Sequence, residues 1–169
     1  TAKGATLRLD TDYPFDGAAQ LSLTALKRPT RFKLALRVPG WAQTAAVKLN
    51  GKPVEATRDG GYLVLDRVWQ AGDRVALDLP LDIRLEATND DPNVVAVLRG
   101  PLVLAADLGS VDDDYQATDP ALVGSDLIAG FAPVAADKAH FRTVAIGRPG
   151  ELQFVPFYSQ WERRSAIYF

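Results

Sequence analysis

Phe32, Leu34, Leu36 and Val38 share one parity of the chain, with Lys33 and Arg37 on the other. The same alternation returns downstream. Tyr62, Val64 and Val68 lie on one parity and Leu63, Leu65 and Arg67 on the other, while Val75, Leu77 and Leu79 alternate with Arg74, Ala76 and Asp78. A strand turns successive side chains to opposite faces, so a period of two predicts half-buried strands rather than helices. Turn chemistry fills the gaps: Pro39-Gly40, Asn50-Gly51, Asp59-Gly60-Gly61 and Ala71-Gly72-Asp73. Asn50-Gly51 is the sharpest of these signals. Both residues tolerate the positive φ of a two-residue hairpin turn, so Val47-Lys48-Leu49 and Pro53-Val54 are expected to flank it as paired strands.

The pattern extends to both ends. Leu7 and Leu9 alternate with Arg8 and Asp10, and Leu21 and Leu23 repeat the motif after a Pro- and Gly-containing loop over residues 11–17. Ile83 to Glu86 reads as another strand. The polar, breaker-rich segment Ala87 to Pro92 predicts a boundary between two lobes, residues 1–88 and 89–169. Val94 to Ala106 is the most hydrophobic run, and Gly100-Pro101 splits it into two strand segments joined by a bend or bulge. Leu108 to Gly130 reads as a long loop, with one helical turn starting near Asp119-Pro120. Strands are expected again in Phe141 to Ile146, Glu151 to Tyr158 and Ser165 to Phe169, with Pro156 marking an edge or an end. The whole predicts an all-β protein, an antiparallel β-sandwich of jelly-roll or immunoglobulin-like type, either as one sandwich or as two packed lobes.

Composition narrows the partners. Hydrophobic residues make up 47% of 169 residues, enough for a packed core, and the net charge of −2 gives no electrostatic reason to expect nucleic acid or an anionic membrane. Cysteine is absent, which excludes disulfides, thiolate metal ligands and a cysteine nucleophile within the chain. Methionine is absent too and the chain begins at Thr1, so it reads as a fragment or a trimmed product. No stretch approaches the roughly 18 apolar residues of a membrane-spanning helix. No signal-peptide pattern opens the chain, which leaves localisation open.

Candidate chemistry is sparse. His140 is the only histidine, and alone it builds neither a metal site nor a hydrolytic triad. Asp112-Asp113-Asp114 and Asp90-Asp91 are oxygen-rich but lack the spacing of a calcium loop, and read as solvated loops. Glu55, Glu86, Glu151 and Glu162 could serve sugar hydrolysis only as a pair across a cleft, and no motif pairs any two of them. Arg163-Arg164 reads as a solvated turn, with pairing to acids of a neighbouring domain as the alternative. Sugars stack on exposed aromatic rings, so Trp41, Trp161 and Tyr13 are the candidate carbohydrate-binding residues, ahead of Trp69 and Tyr62.

The motifs also occur in a familiar order. TDYPFDG (Thr11 to Gly17), LRVPGWA (Leu36 to Ala42), KLNGKPV (Lys48 to Val54), GYLVLDRVWQAGDRVALDLPLDIRL (Gly61 to Leu85), VAVLRGPLVLAAD (Val95 to Asp107) and FVPFYSQWERRSAIYF (Phe154 to Phe169) together resemble the C-terminal portion of glycoside hydrolase family 127, which is related to β-L-arabinofuranosidases. The resemblance spans essentially the whole chain. It implies a parent with an N-terminal (α/α)6 barrel that carries the catalytic glutamate and the zinc-binding cysteines, followed by sandwich domains that brace the barrel and contribute dimer contacts. None of the barrel's catalytic residues has a counterpart here, and the resemblance implies that the first strands of the 1–88 sandwich are missing from the chain as well. The resemblance therefore implies a non-catalytic accessory region with no cofactor of its own. Its partners would be the barrel, a second copy, or carbohydrate.

Overall fold

A computed structural model describes residues 4–114, 119–135 and 137–169. In it the period-two pattern becomes eight strands in one unit, Thr1–Leu81, and nine in a second, Asp82–Phe169.

The first unit contains β1 (Ala5–Thr11), β2 (Ala18–Leu26), β3 (Thr30–Arg37), β4 (Ala46–Leu49), β5 (Lys52–Pro53), β6 (Thr57–Asp59), β7 (Tyr62–Trp69) and β8 (Arg74–Asp78). They form a five-stranded antiparallel sheet in the order β1-β2-β8-β4-β5 and a three-stranded one in the order β3-β7-β6. Burial follows the alternation. Phe32, Leu34 and Leu36 of β3 are half-buried and Val38 is buried beyond them, while Arg31, Lys33 and Arg37 face solvent. On β7 the buried parity is Leu63, Leu65 and Trp69, and Tyr62 and Val68 point outward. Leu23, Val47 and Val75 supply the core from the other sheet.

Trp69 anchors this core. It is fully buried, its ring stacks on Phe32 with centroids 5.7 Å apart, and its Nε1 donates to the Phe32 carbonyl at 2.9 Å. A buried indole needs such a partner for its only polar atom. At the Asn50-Gly51 turn, φ is 50° and 81°, and Leu49 pairs with Lys52 across it, as the dipeptide dictates. Gly17 is required for a different reason: a Cβ there would lie 1.8 Å from the Leu79 carbonyl oxygen.

The second unit contains β9 (Ile83–Ala87), β10 (Val95–Arg99), β11 (Leu102–Ser110), β12 (Ala121–Leu122), β13 (Phe131–Pro133), β14 (Phe141–Thr143), β15 (Gly147–Arg148), β16 (Gln153–Pro156) and β17 (Arg163–Ala166). The order β13-β14-β16-β11-β10-β9, with β17 also on β11, forms one sheet, and β12-β15 forms a small second one. Val97, Leu104 and Phe154 are fully buried, with Phe131 and Phe169 against the Phe154 ring. All strand pairs among the described residues are antiparallel, in an all-β sandwich-type fold.

Four local expectations change. Gly100-Pro101 is a hairpin turn, not a bend, because Arg99 pairs directly with Leu102 and the chain reverses. Ala121–Leu122, where a helical turn was expected, pairs with β15, and a 3-10 turn forms later at Ile128–Gly130. β11 extends to Ser110, into the segment read as a loop, whose residues 115–118 lie outside the described residues. Ala87 to Pro92 lies inside the β9–β10 hairpin, where the Thr88 amide donates to Val94 O at 2.8 Å, and the division between units falls at Leu81/Asp82. The same breaker residues serve a chain reversal and a domain boundary equally well.

Candidate functional site

The three aromatic candidates have different surroundings. Trp41 follows the Pro39-Gly40 turn, where the Ala42 amide donates to Pro39 O at 3.0 Å, and its half-buried ring packs against the first unit's core. Tyr13 is exposed in the β1–β2 loop, held by its amide donating to Thr11 Oγ1 at 3.1 Å. Trp161 is 83% exposed and belongs to the second unit, so sequence order does not unite it with the other two. It follows the 3-10 turn Phe157–Ser159, which brings two further exposed rings to the same short segment, Phe157 and Tyr158. Between them Gln160 Oε1 is buried with no hydrogen-bond partner among the described residues. The Tyr158-x-x-Trp161 spacing was visible in the sequence. Pro156 ends β16 and immediately precedes the 3-10 turn that carries Phe157 and Tyr158.

The other two aromatic candidates differ in exposure, Trp69 being fully buried and Tyr62 exposed. Trp69 is core, and Tyr62 lies under the Arg37 guanidinium, 5.6 Å from the ring centroid.

The arginine corner is held by hydrogen bonds while Arg163 stays exposed. Arg163 forks onto both carboxylate oxygens of Asp107, at 2.8 and 2.9 Å from Nε. Arg164 donates to the carbonyls of Ser110, Val111 and Asp113 at 2.6 to 2.7 Å. Five donors on one planar group let a single arginine gather a loop in this way. The acidic run is part of the same arrangement, since Asp113 Oδ2 accepts the Ser110 amide at 3.1 Å. His140 lies beside Asp137, with Nδ1 3.5 Å from Oδ2. Glu151 pairs with Arg142 at 2.7 Å and Glu86 with Arg84 at 2.9 Å.

One open groove, of about 640 Å³, runs over the β9–β10 hairpin. Ala96 pairs with Glu86 on one side and with Tyr168 on the other. Directly opposed residues share a sheet face, so the small Ala96 side chain floors a trough between a carboxylate and an exposed phenol ring. Asp90 and Asp91 also line it. The Thr88 side chain is the main cause that lowers the Asp90 carboxyl from the ordinary aspartate value. An acid shifted down is an acceptor and a fixed charge, not a proton donor at neutral pH.

Residues 1–81 match the family model described as "Beta-L-arabinofuranosidase, GH127 middle domain". Residues 1–81 resemble this family. Solved structures agree on the fold of the whole chain. The GH127 β-L-arabinofuranosidase from Geobacillus stearothermophilus T6 aligns with a TM-score of 0.68 at 22% identity, over 97% of this chain and 30% of that one. Another structure, described as a GH127 β-arabinofuranosidase, gives 0.69 at 22%, over 98% and 31%. A third, described as a glycoside hydrolase, gives 0.67 at 21%, over 98% and 32%. The chain thus spans about a third of the length of these structures. No curated protein matches it. The zinc implied by the family resemblance does not fit the residues present: the chain has no cysteine, and no group of three or more metal-ligating side chains converges among the described residues.

Proposed function

We propose that this chain is a non-catalytic accessory β-sandwich region of a glycoside hydrolase that acts on L-arabinofuranosides or related sugars. Its role is to brace the parent's catalytic (α/α)6 barrel and to self-associate. One coincidence carries the proposal: the middle-domain match ends at residue 81, where the first compact unit also ends. The polar chemistry is in keeping with a scaffold. The carboxylates of Asp73, Asp107 and Glu151 hold turns and arginines in place. The exposed Tyr13 loop and the half-buried Trp41 offer a face for the barrel to cover.

The test is hydrolysis of aryl arabinofuranosides by the purified chain. No turnover above the uncatalysed rate is expected. Turnover that disappears on changing one of the chain's own carboxylates to its amide overturns the non-catalytic assignment. In the longer parent, removing this region should lower the Tm of the barrel, and an unchanged Tm overturns the bracing role.

A second role, carbohydrate binding, is favoured by one observation, the 83% exposure of Trp161. Titration with arabinose-containing oligosaccharides should then give a saturable change in tryptophan fluorescence that Trp161→Ala abolishes. No saturable change, or the same change in Trp161→Ala and Trp41→Ala, removes it.

A further inference from the structure

Asn50-Gly51 is the kind of pair in which an asparagine side chain is most open to attack by its own backbone. The deprotonated nitrogen of the glycine adds to the asparagine Cγ, the Cγ–N bond breaks and ammonia leaves. Water then opens the resulting succinimide ring to an aspartyl or isoaspartyl residue. Glycine favours the attack because it carries no side chain to hinder the nitrogen. Here both residues are exposed, and apart from its chain neighbours nothing lies within 4 Å of the point where a Gly51 side chain would begin. No other element shields the turn. An open depression lined by Gln20, Lys48, Asn50, Gly51, Arg74 and Ala76 brings water to it.

Protection has to come from the hold on the Asn50 side chain. Its Nδ2 donates to Asp73 Oδ1 at 2.8 Å, and its Oδ1 accepts the Arg74 amide at 2.8 Å. Both contacts lead across to residues 73 and 74, not along the chain to Gly51, so bringing Cγ to the Gly51 nitrogen breaks them. Asp73 is 2% exposed and is itself fixed, with Oδ2 accepting the Gln70 amide at 3.0 Å. The backbone is tied as well: the Asn50 amide donates to Arg74 O at 2.8 Å, and Leu49 pairs with Lys52 across the turn. Ring closure waits until the side chain has left a charged acceptor and a backbone donor.

The same contacts decide what the reaction would do to the fold. An aspartate in place of Asn50 puts an oxygen where Nδ2 was and sets two carboxylates against each other, which disfavours the folded state. An isoaspartate adds a methylene to the main chain inside a turn whose geometry fits two residues.

We propose that Asn50 is a latent deamidation site, kept unreactive in the folded chain by the Asp73 carboxylate, and that its conversion opens the joint between the β4–β5 and β7–β8 turns. Deamidation then runs one way, because it starts where the clamp lets go and removes the group the clamp needs.

Incubation of the full chain in mildly alkaline buffer, with peptide mass spectrometry at Asn50, tests it. The folded chain should deamidate at least about tenfold more slowly than the same chain in urea, because release from a hydrogen bond to a charged group precedes the chemistry. Equal rates overturn the protection. Asp73→Asn keeps the Gln70 contact but sets a donor against Asn50 Nδ2, and should speed deamidation at Asn50 about tenfold or more. Leu63→Ala empties a buried position on β7 and leaves the turn untouched, so it supplies the control. If the two variants, compared at equal fractions unfolded, deamidate equally fast, folding as a whole is the guard and the clamp is overturned. Asn50→Asp writes the product directly. It should unfold at lower urea than the unmodified chain, and an unchanged or higher midpoint overturns the opening of the joint.

Discussion

Replacing Asp73 tests the polar clamp under the first unit's turns. Its side chain is 2% exposed, with Oδ1 accepting from Asn50 Nδ2 at 2.8 Å and Oδ2 from the Gln70 amide at 3.0 Å. Asn50 is held in turn, its Oδ1 accepting the Arg74 amide at 2.8 Å and its amide donating to Arg74 O at 2.8 Å. One carboxylate thus joins the β4–β5 turn to the β7–β8 turn. Asp73→Ala leaves two donors without partners, and at about 1–3 kcal/mol for each orphaned group the loss is about 2–6 kcal/mol. For a unit of this size that lowers Tm by on the order of 10 °C or more. Asp73→Asn keeps one acceptor and sets an amide donor against a donor. Asn50 cannot rotate to relieve it without losing Arg74, so the cost is about 1–3 kcal/mol. The assay is urea unfolding followed by tryptophan emission, which reports the first unit chiefly through the buried Trp69. Asn50→Gly keeps the positive φ of the turn and removes only the side chain. In a double-mutant cycle it should couple to Asp73→Ala by about 0.5–3 kcal/mol. Additivity within about 0.3 kcal/mol, or an Asp73→Ala variant within about 0.5 kcal/mol of the parent, refutes the clamp.

Trp69→Ala should cost about 3–5 kcal/mol by circular dichroism, since it empties the largest buried site and frees the Phe32 carbonyl and ring; a loss below about 1 kcal/mol contradicts that. Gly17→Ala should destabilise by about 1–3 kcal/mol or more, because its Cβ would meet backbone rather than a movable side chain; a neutral result would show that the Gly17–Leu79 contact yields. Thr88→Val should raise the Asp90 carboxyl midpoint toward the ordinary aspartate value in an NMR titration, and an unchanged midpoint discounts the hydroxyl as its cause. Because the folded value is lowered, ionised Asp90 favours the folded state above the unfolded-chain value. That contribution fades as pH falls through the folded value, and the variant should lose this dependence.

Much of the first unit was legible because its signals are local. Alternation over Phe32 to Val38 and Val75 to Leu79 reports a half-buried strand wherever it occurs, and Asn50-Gly51 selects its turn from two residues' φ preferences alone. The six ordered motifs pointed to the family whose middle-domain model residues 1–81 match. Gly100-Pro101 was legible as a break but not as a reversal, because which strand lies alongside is a non-local fact. The candidate sites were less legible still. Trp69 and Trp161 are the same residue type near strand ends, yet one is fully buried and the other 83% exposed.

Composition and spacing by themselves determined an all-β chain without cysteine chemistry, built of short antiparallel strands around an Asn-Gly hairpin. Tertiary structure alone decided which apolar face is covered. Leu7-x-Leu9 and Leu21-x-Leu23 are written alike, but Leu23 is sealed in the core and Leu9 stands in solvent. Alternation sets which side a residue faces, and burial depends on whether another element lies over that side.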